Sequence, residues 1–149
     1  MDKPEQMTEQ ELAIRIGIIA EAETWLRTPW RHMAHVKGAG VDCAQLLISV
    51  FSNIGLVEWF DTGHYPPDWM MHREEERFLG FIEKYAHRVE IPQPGDIAVF
   101  KIGRCFSHGA IIVDWPRLIH AWLPEHQVCY GDGLQGLLAG KEVKFYSVL

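Results

Sequence analysis

Apolar positions recur at helical spacing through the first part of this chain and become short β-branched runs toward its end. Thr8-x-x-Glu11 is a capping box, in which hydroxyl and carboxylate satisfy free N–H groups at a helix start. Leu12, Ile16, Ile19 and Leu26 then form one apolar stripe, widened by Ile14, Ile18 and Trp25, and Pro29 ends the element. Asp42 is a good N-cap with Gln45 at the capping-box position. Behind it Leu46, Leu47, Val50, Phe51 and Ile54 recur at helical spacing before Gly55, which predicts a helix over 43–54. Phe78, Ile82 and Tyr85 predict a third helix over roughly 73–86. Between these lie a Gly- and His-containing loop, 28–41, and an irregular aromatic segment, 58–69, whose rings read as packing beneath a loop.

Strand patterns follow at 96–101, 109–114, 117–122, 126–130 and 142–148, linked by short turns. Helices first and antiparallel strands second is an α+β pattern, with N-terminal helices packed on a sheet of about five strands. A length of 149 residues fits a single domain, and 48% hydrophobic content with six tryptophans fits a packed core. The formal charge of −6, without a basic cluster among aromatics, argues against a nucleic-acid surface. The apolar stretches are too short for a membrane span. Met1-Asp2-Lys3-Pro4-Glu5-Gln6 shows no signal-peptide pattern, so synthesis in a bacterial cytoplasm is expected. Three cysteines without C-x-x-C spacing do not suggest a disulfide framework.

Cys43 falls in the first turn of the 43–54 helix, where unpaired N–H groups and the dipole favour an anion. Such a site can lower a thiol pKa from ~8.5 into roughly the 3.5–7.5 range, although a buried cysteine also fits the position. Ser107-His108-Gly109 enters one apolar run, and Leu118-Ile119-His120-Ala121-Trp122 carries a histidine within the next. The link Asp114-Trp115-Pro116-Arg117 is turn-like, so the runs read as a hairpin. Positions 108, 110 and 112 share one face, as do 118, 120 and 122, which allows His120 to reach the ring of His108. Either histidine alone would be unremarkable among eight. A cysteine, a base and a group orienting that base are the parts of an activated nucleophile.

Two other patterns carry less. Gly131-Asp132-Gly133-Leu134-Gln135-Gly136 fits G-x-G-x-x-G but lacks a surrounding β-α-β unit and reads as a turn. His32 and His35 lie in a loop without the paired spacing of a structural zinc site. No metal or other cofactor is expected.

Asp42-Cys43, Pro94-Gly95-Asp96-Ile97, Ser107-His108-Gly109 and Ile119-His120-Ala121 together resemble the NlpC-type papain-like cell-wall cysteine peptidases. Motifs of that family run Asp-Cys-Ser-Gly, Pro-Gly-Asp-Leu, His-Val-Gly and Ile-His-Ala, in this order and at similar intervals. Thr28-Pro29-Trp30-Arg31-His32 and Lys37-Gly38-Ala39-Gly40 look most like the branch encoded in phage tail and gene-transfer-agent clusters. The resemblance covers about residues 25–125 and implies a papain-like domain over 1–149, its nucleophile helix about 43–54 and its sheet about 96–148. It implies a Cys-His-His triad: Cys43 as nucleophile, His108 as general base and acid, His120 as orienter. Asp42, Trp30 and Ala44 are the substrate-binding positions it implies. Asp42 matches a residue that often recognises the substrate amine. Trp30 replaces a tyrosine whose hydroxyl commonly serves the oxyanion hole, and Ala44 replaces a serine. The implied substrate is a peptidoglycan stem peptide. A wall-cleaving enzyme without an export signal needs a carrier, so the expected setting is a virion tail, with tail-tip proteins as partners. The alternative is a catalytically silent tail structural or assembly component that uses the same fold for binding.

Overall fold

The computed structural model describes residues 7–66 and 77–149. Helix α1 spans Glu9–Glu23, and the Thr8 hydroxyl accepts the Glu11 N–H at 3.0 Å, as the capping box requires. It stops short of Pro29 because the chain turns away at Arg27, whose φ of 74° is left-handed. Ile18 and Trp25 of the expected stripe are buried and Ile14 and Leu26 pack against the core, but Leu12 and Ile16 are exposed and Arg15 is buried, so the inward face is rotated toward Arg15. An ion pair explains the rotation. Arg15 Nη1 donates to Asp96 Oδ1 at 2.7 Å and to the Pro94 carbonyl at 3.1 Å, and it draws that face of the helix inward. Asp96 Oδ2 in turn accepts the Gln93 N–H, so the Pro-Gly-Asp turn serves as an anchor for α1.

Two-residue strands β1 (His35–Val36) and β2 (Gly40–Val41) form a ribbon inside the loop that leads to the second helix. Helix α2, Cys43–Asn53, matches the expected 43–54 element and is buried from Cys43 through Phe51. Asp42 Oδ1 caps it by accepting the Gln45 N–H at 2.9 Å, and Gly55, at φ 77°, ends it. Helix α3 spans Arg77–Tyr85 with Phe78 and Ile82 buried, while the expected start near 73 lies outside the described residues.

The main sheet has six strands rather than about five. They are β3 (His87–Val89), β4 (Ile97–Ile102), β5 (Cys105–Asp114), β6 (Arg117–Trp122), β7 (Gln127–Asp132) and β8 (Val143–Ser147), in the order β3-β8-β4-β5-β6-β7. All paired neighbours are antiparallel. The additional strand, β3, is too short and too polar to show a pattern. Strand β5 begins before residue 109 because a bulge lets the pairing continue: Phe100 faces His108, yet Lys101 faces Phe106, so Ser107 is the extra residue.

One sheet face, with Ile97, Val99, Ile111, Ile119, Ala121 and Val128, joins the core containing α1, α2 and α3. The opposite face holds Ala98, Phe100, Ala110, Ile112 and Leu118, covered by Leu138 and Trp115. The architecture is α+β, with the helices on one side of an antiparallel sheet. Among the described residues no helix is long and apolar enough to cross a membrane.

Candidate active site

The cap and the sheet together bring Cys43 to strand β5. Its thiol donates to the Ser107 carbonyl at 3.6 Å, and the Gly109, Ala44 and Cys43 N–H groups point at the sulfur. This is possible because β5 pairs with β6 only from Ile111 to the turn, which leaves the backbone at Ser107 and Gly109 free to meet a side chain. Gly109 also admits close neighbours: a Cβ there would fall 2.5 Å from Phe78 Cζ and 2.7 Å from Leu47 Cδ1.

The electrostatics differ from the expected thiolate. Burial raises the Cys43 pKa to about 12, with the nearby Asp42 charge adding to the rise and the three N–H groups opposing it. The cysteine is 9% exposed, so the helix terminus does not compensate for lost solvation. At neutral pH the resting group is a thiol.

His108 and His120 meet as the strand faces suggest, with His108 Nε2 and His120 Nδ1 2.9 Å apart. Neither bulge in β5 falls between 108 and 112, so period-two alternation holds where it matters. Trp122 stacks on His120 with centroids 4.7 Å apart and planes at 12°, and lies 4.9 Å from His108. Burial, then the His120 charge, holds the His108 pKa well below 6.5. Burial alone lowers His120 to about 4. Both rings are therefore neutral at pH 7, and one N–H joins them. With that proton on His108 Nε2, His108 Nδ1 keeps a free lone pair. Among the described residues no hydrogen bond links this ring to the Cys43 thiol; the sulfur lies against the backbone on either side of His108 instead.

Asp42, Ala44 and Trp30, the expected substrate-binding positions, each make contacts within the fold. Asp42 is 3% exposed, and its carboxylate accepts the Gln45 N–H, the Met33 N–H at 2.7 Å and the Tyr65 hydroxyl at 2.5 Å. These donors engage both oxygens and hold Asp42 against the helix and its preceding loop. Ala44 lines an apolar cavity of about 50 Å³ between α2 and α3, together with Leu47, Phe78 and Phe81. Trp30 is half-buried; its backbone bridges to Val41, and its N–H donates to the His126 carbonyl at 2.8 Å.

Tyr65 is a site residue that sequence reasoning passed over. Its hydroxyl also receives the Gln45 side-chain amide at 3.4 Å, and burial and Asp42 raise its pKa. Nothing in an aperiodic loop signals a partner 23 residues upstream. His32 packs edge-on against Tyr65 at 5.1 Å, with Nδ1 3.9 Å from Asp42 Oδ2. His35 lies apart, on the exposed β1 beside Trp59. Among the described residues no group of three or more His, Cys, Asp or Glu side chains is arranged to hold a metal. Among the described residues no two cysteines are joined by a disulfide.

No family model matches the sequence, and no characterised protein matches it by sequence. Its fold is similar to solved structures. One is the NlpC/p60 domain of the peptidoglycan hydrolase SagA, at 20% identity and TM-score 0.57 over 87% of this chain and 96% of that one. Another is an NlpC/p60 family protein from Bacillus cereus, at 18% identity and TM-score 0.62 over 87% of this chain but 39% of that one. A third is the peptidoglycan hydrolase RipB from Mycobacterium tuberculosis, at 12% identity and TM-score 0.64 over 100% of this chain and 74% of that one. The α+β architecture is thus the papain-like one of NlpC/p60 domains.

Proposed function

We propose that this protein is a cysteine peptidase that hydrolyses amide bonds in peptidoglycan stem peptides. In this reading Cys43 is the nucleophile, His108 the general base and acid, and His120 its orienter. The observation that carries it is the 2.9 Å contact between His108 Nε2 and His120 Nδ1. It engages one nitrogen of His108 and leaves the other for the thiol, whose sulfur touches the residues flanking that histidine. Catalytic hydrogen bonds are often long in empty sites and tighten when substrate binds. The substrate class is supported by the likeness to domains described as peptidoglycan hydrolases.

Because both partners rest neutral, the proton moves as the bond forms. His108 Nδ1 takes the thiol proton while the sulfur attacks the amide carbon. The N–H groups of Cys43, Ala44 and Gly109, which face the sulfur, are the donors this scheme assigns to the developing oxyanion. His108 then gives its proton to the leaving amine, and a water activated by the same ring cleaves the thioester. His108→Ala lowers kcat by roughly 10²–10⁴ in this scheme. His120→Asn retains more activity than His120→Ala, since an amide can still fix the imidazole. Assays of soluble stem peptides with these variants test the roles.

The setting we propose is a phage tail or tail-like particle, where local wall digestion helps the tube cross the envelope. Its support is the resemblance of Thr28–His32 and Lys37–Gly40 to the tail-encoded branch. One observation favours the rival reading, a catalytically silent tail component: the Cys43 thiol is buried and its pKa raised to about 12. Activity that survives Cys43→Ala, or is absent from the unaltered protein, selects that rival.

A further inference from the structure

Gly131 lies within β7 in extended backbone, without the positive φ seen at other glycines in the chain. A glycine weakens a strand there, and neither a turn nor strain calls for it. The neighbouring strand supplies the reason. The register pairs Leu118 with Gly131 and His120 with Cys129, so Gly131 sits diagonal to His120 on the same face. A Cβ at Gly131 would fall 2.6 Å from His120 Nε2, 3.1 Å from Cε1 and 3.1 Å from Leu118 Cδ1. The ring has little room to yield while its contacts persist. Its Nδ1 edge is tied to His108 at 2.9 Å, and its face carries Trp122.

We propose that Gly131 is a positioning residue of the site: its missing side chain seats the His120 ring so that Nδ1 meets His108. This rests, for its effect on turnover, on the peptidase reading above. The ring edge beside Gly131 borders a cavity of about 330 Å³ shared with Glu125, Cys129 and Asp132. A ring displaced by a methyl group can therefore move without unfolding the sheet, and the contact with His108 lengthens or breaks.

The experiment is a double-mutant cycle read two ways: ¹⁵N-edited NMR of the histidine ring nitrogens, and turnover of a soluble stem peptide. Gly131→Ala is expected to shift the ring resonances of both His108 and His120. It is also expected to lower kcat roughly tenfold or more with KM nearly unchanged. In a His120→Asn background the same substitution should change kcat by less than about twofold, because a shorter side chain no longer meets the methyl group. Ring resonances unmoved by Gly131→Ala overturn the proposal. An equal loss in both backgrounds also overturns it, since the methyl then acts through Leu118. Should the unaltered protein prove inactive, the peptidase reading fails, and the resonances alone decide whether Gly131 seats the ring.

Discussion

Cys43 keeps its proton because the groups that bury it outweigh those that would stabilise a thiolate. Three N–H groups face the sulfur, but burial and the adjacent Asp42 charge raise its pKa to about 12. Its alkylation rate should therefore climb about tenfold per pH unit from pH 6 to 9, without a plateau, because reactivity follows the thiolate fraction. Peptide mapping after brief iodoacetamide labelling measures this, and a plateau below pH 7 contradicts it. The histidines shift the other way, with a consequence for stability. His120 titrates at about 4 in the fold and near 6.5 when unfolded, so acid favours the unfolded chain. Its contribution is complete above pH 6.5 and is lost as pH falls toward 4, by about 3 kcal/mol. Urea unfolding at pH 7.5 and 4.5 should show that loss, and His120→Asn should reduce it. The place of Cys43 at the start of α2 and the contact between His108 and His120 were legible in the sequence through cap chemistry and strand alternation. The thiol's protonation was not, because it depends on what covers the helix terminus.

Among the elements, α2 was legible almost to the residue, since its cap, apolar run and terminal glycine all agree. Helix α1 was legible in place and in part in orientation: Ile18 and Trp25 of its stripe are buried, while Leu12 and Ile16 are exposed. A stripe of isoleucines and leucines suggested the buried face, and an ion pair rotated it toward Arg15. Arg15 and Asp96 are 5% and 1% exposed, so removing Asp96 leaves a buried guanidinium whose remaining partners are the half-exposed Glu11 carboxylate and the Pro94 carbonyl. Asp96→Ala should cost about 2–3 kcal/mol in denaturant unfolding, the upper range for a lost charged hydrogen bond, because Glu11 still pairs with Arg15. A loss below 1 kcal/mol would show that α1 does not depend on this anchor. Strand β3 and the bulge at Ser107 escaped the sequence because both arise from pairing with distant strands. The bulge matters for the site: it places Phe106 in the helix-side core while His108 sits on the opposite face with Ala110.

For the molecule as a whole, α2 delivers the sulfur to the β5 backbone on either side of His108, and β5 and β6 hold the paired imidazoles. The α+β class and the helix-then-sheet order were legible from hydropathy alone; the sixth strand and the Tyr65–Asp42 contact required the assembled fold. The tail-particle setting predicts co-sedimentation of this chain with purified particles, detected by mass spectrometry. Particles complete without it, and the protein confined to the soluble fraction, would point to an assembly factor or a host enzyme. The central claim is that Cys43 opens an amide bond in peptidoglycan stem peptides. Incubating purified peptidoglycan with the unaltered protein and with Cys43→Ala, then identifying released fragments by mass spectrometry, tests it most directly. The expected result is new stem-peptide termini with the unaltered protein and none with Cys43→Ala, although both fold alike; equal release by the two proteins contradicts it.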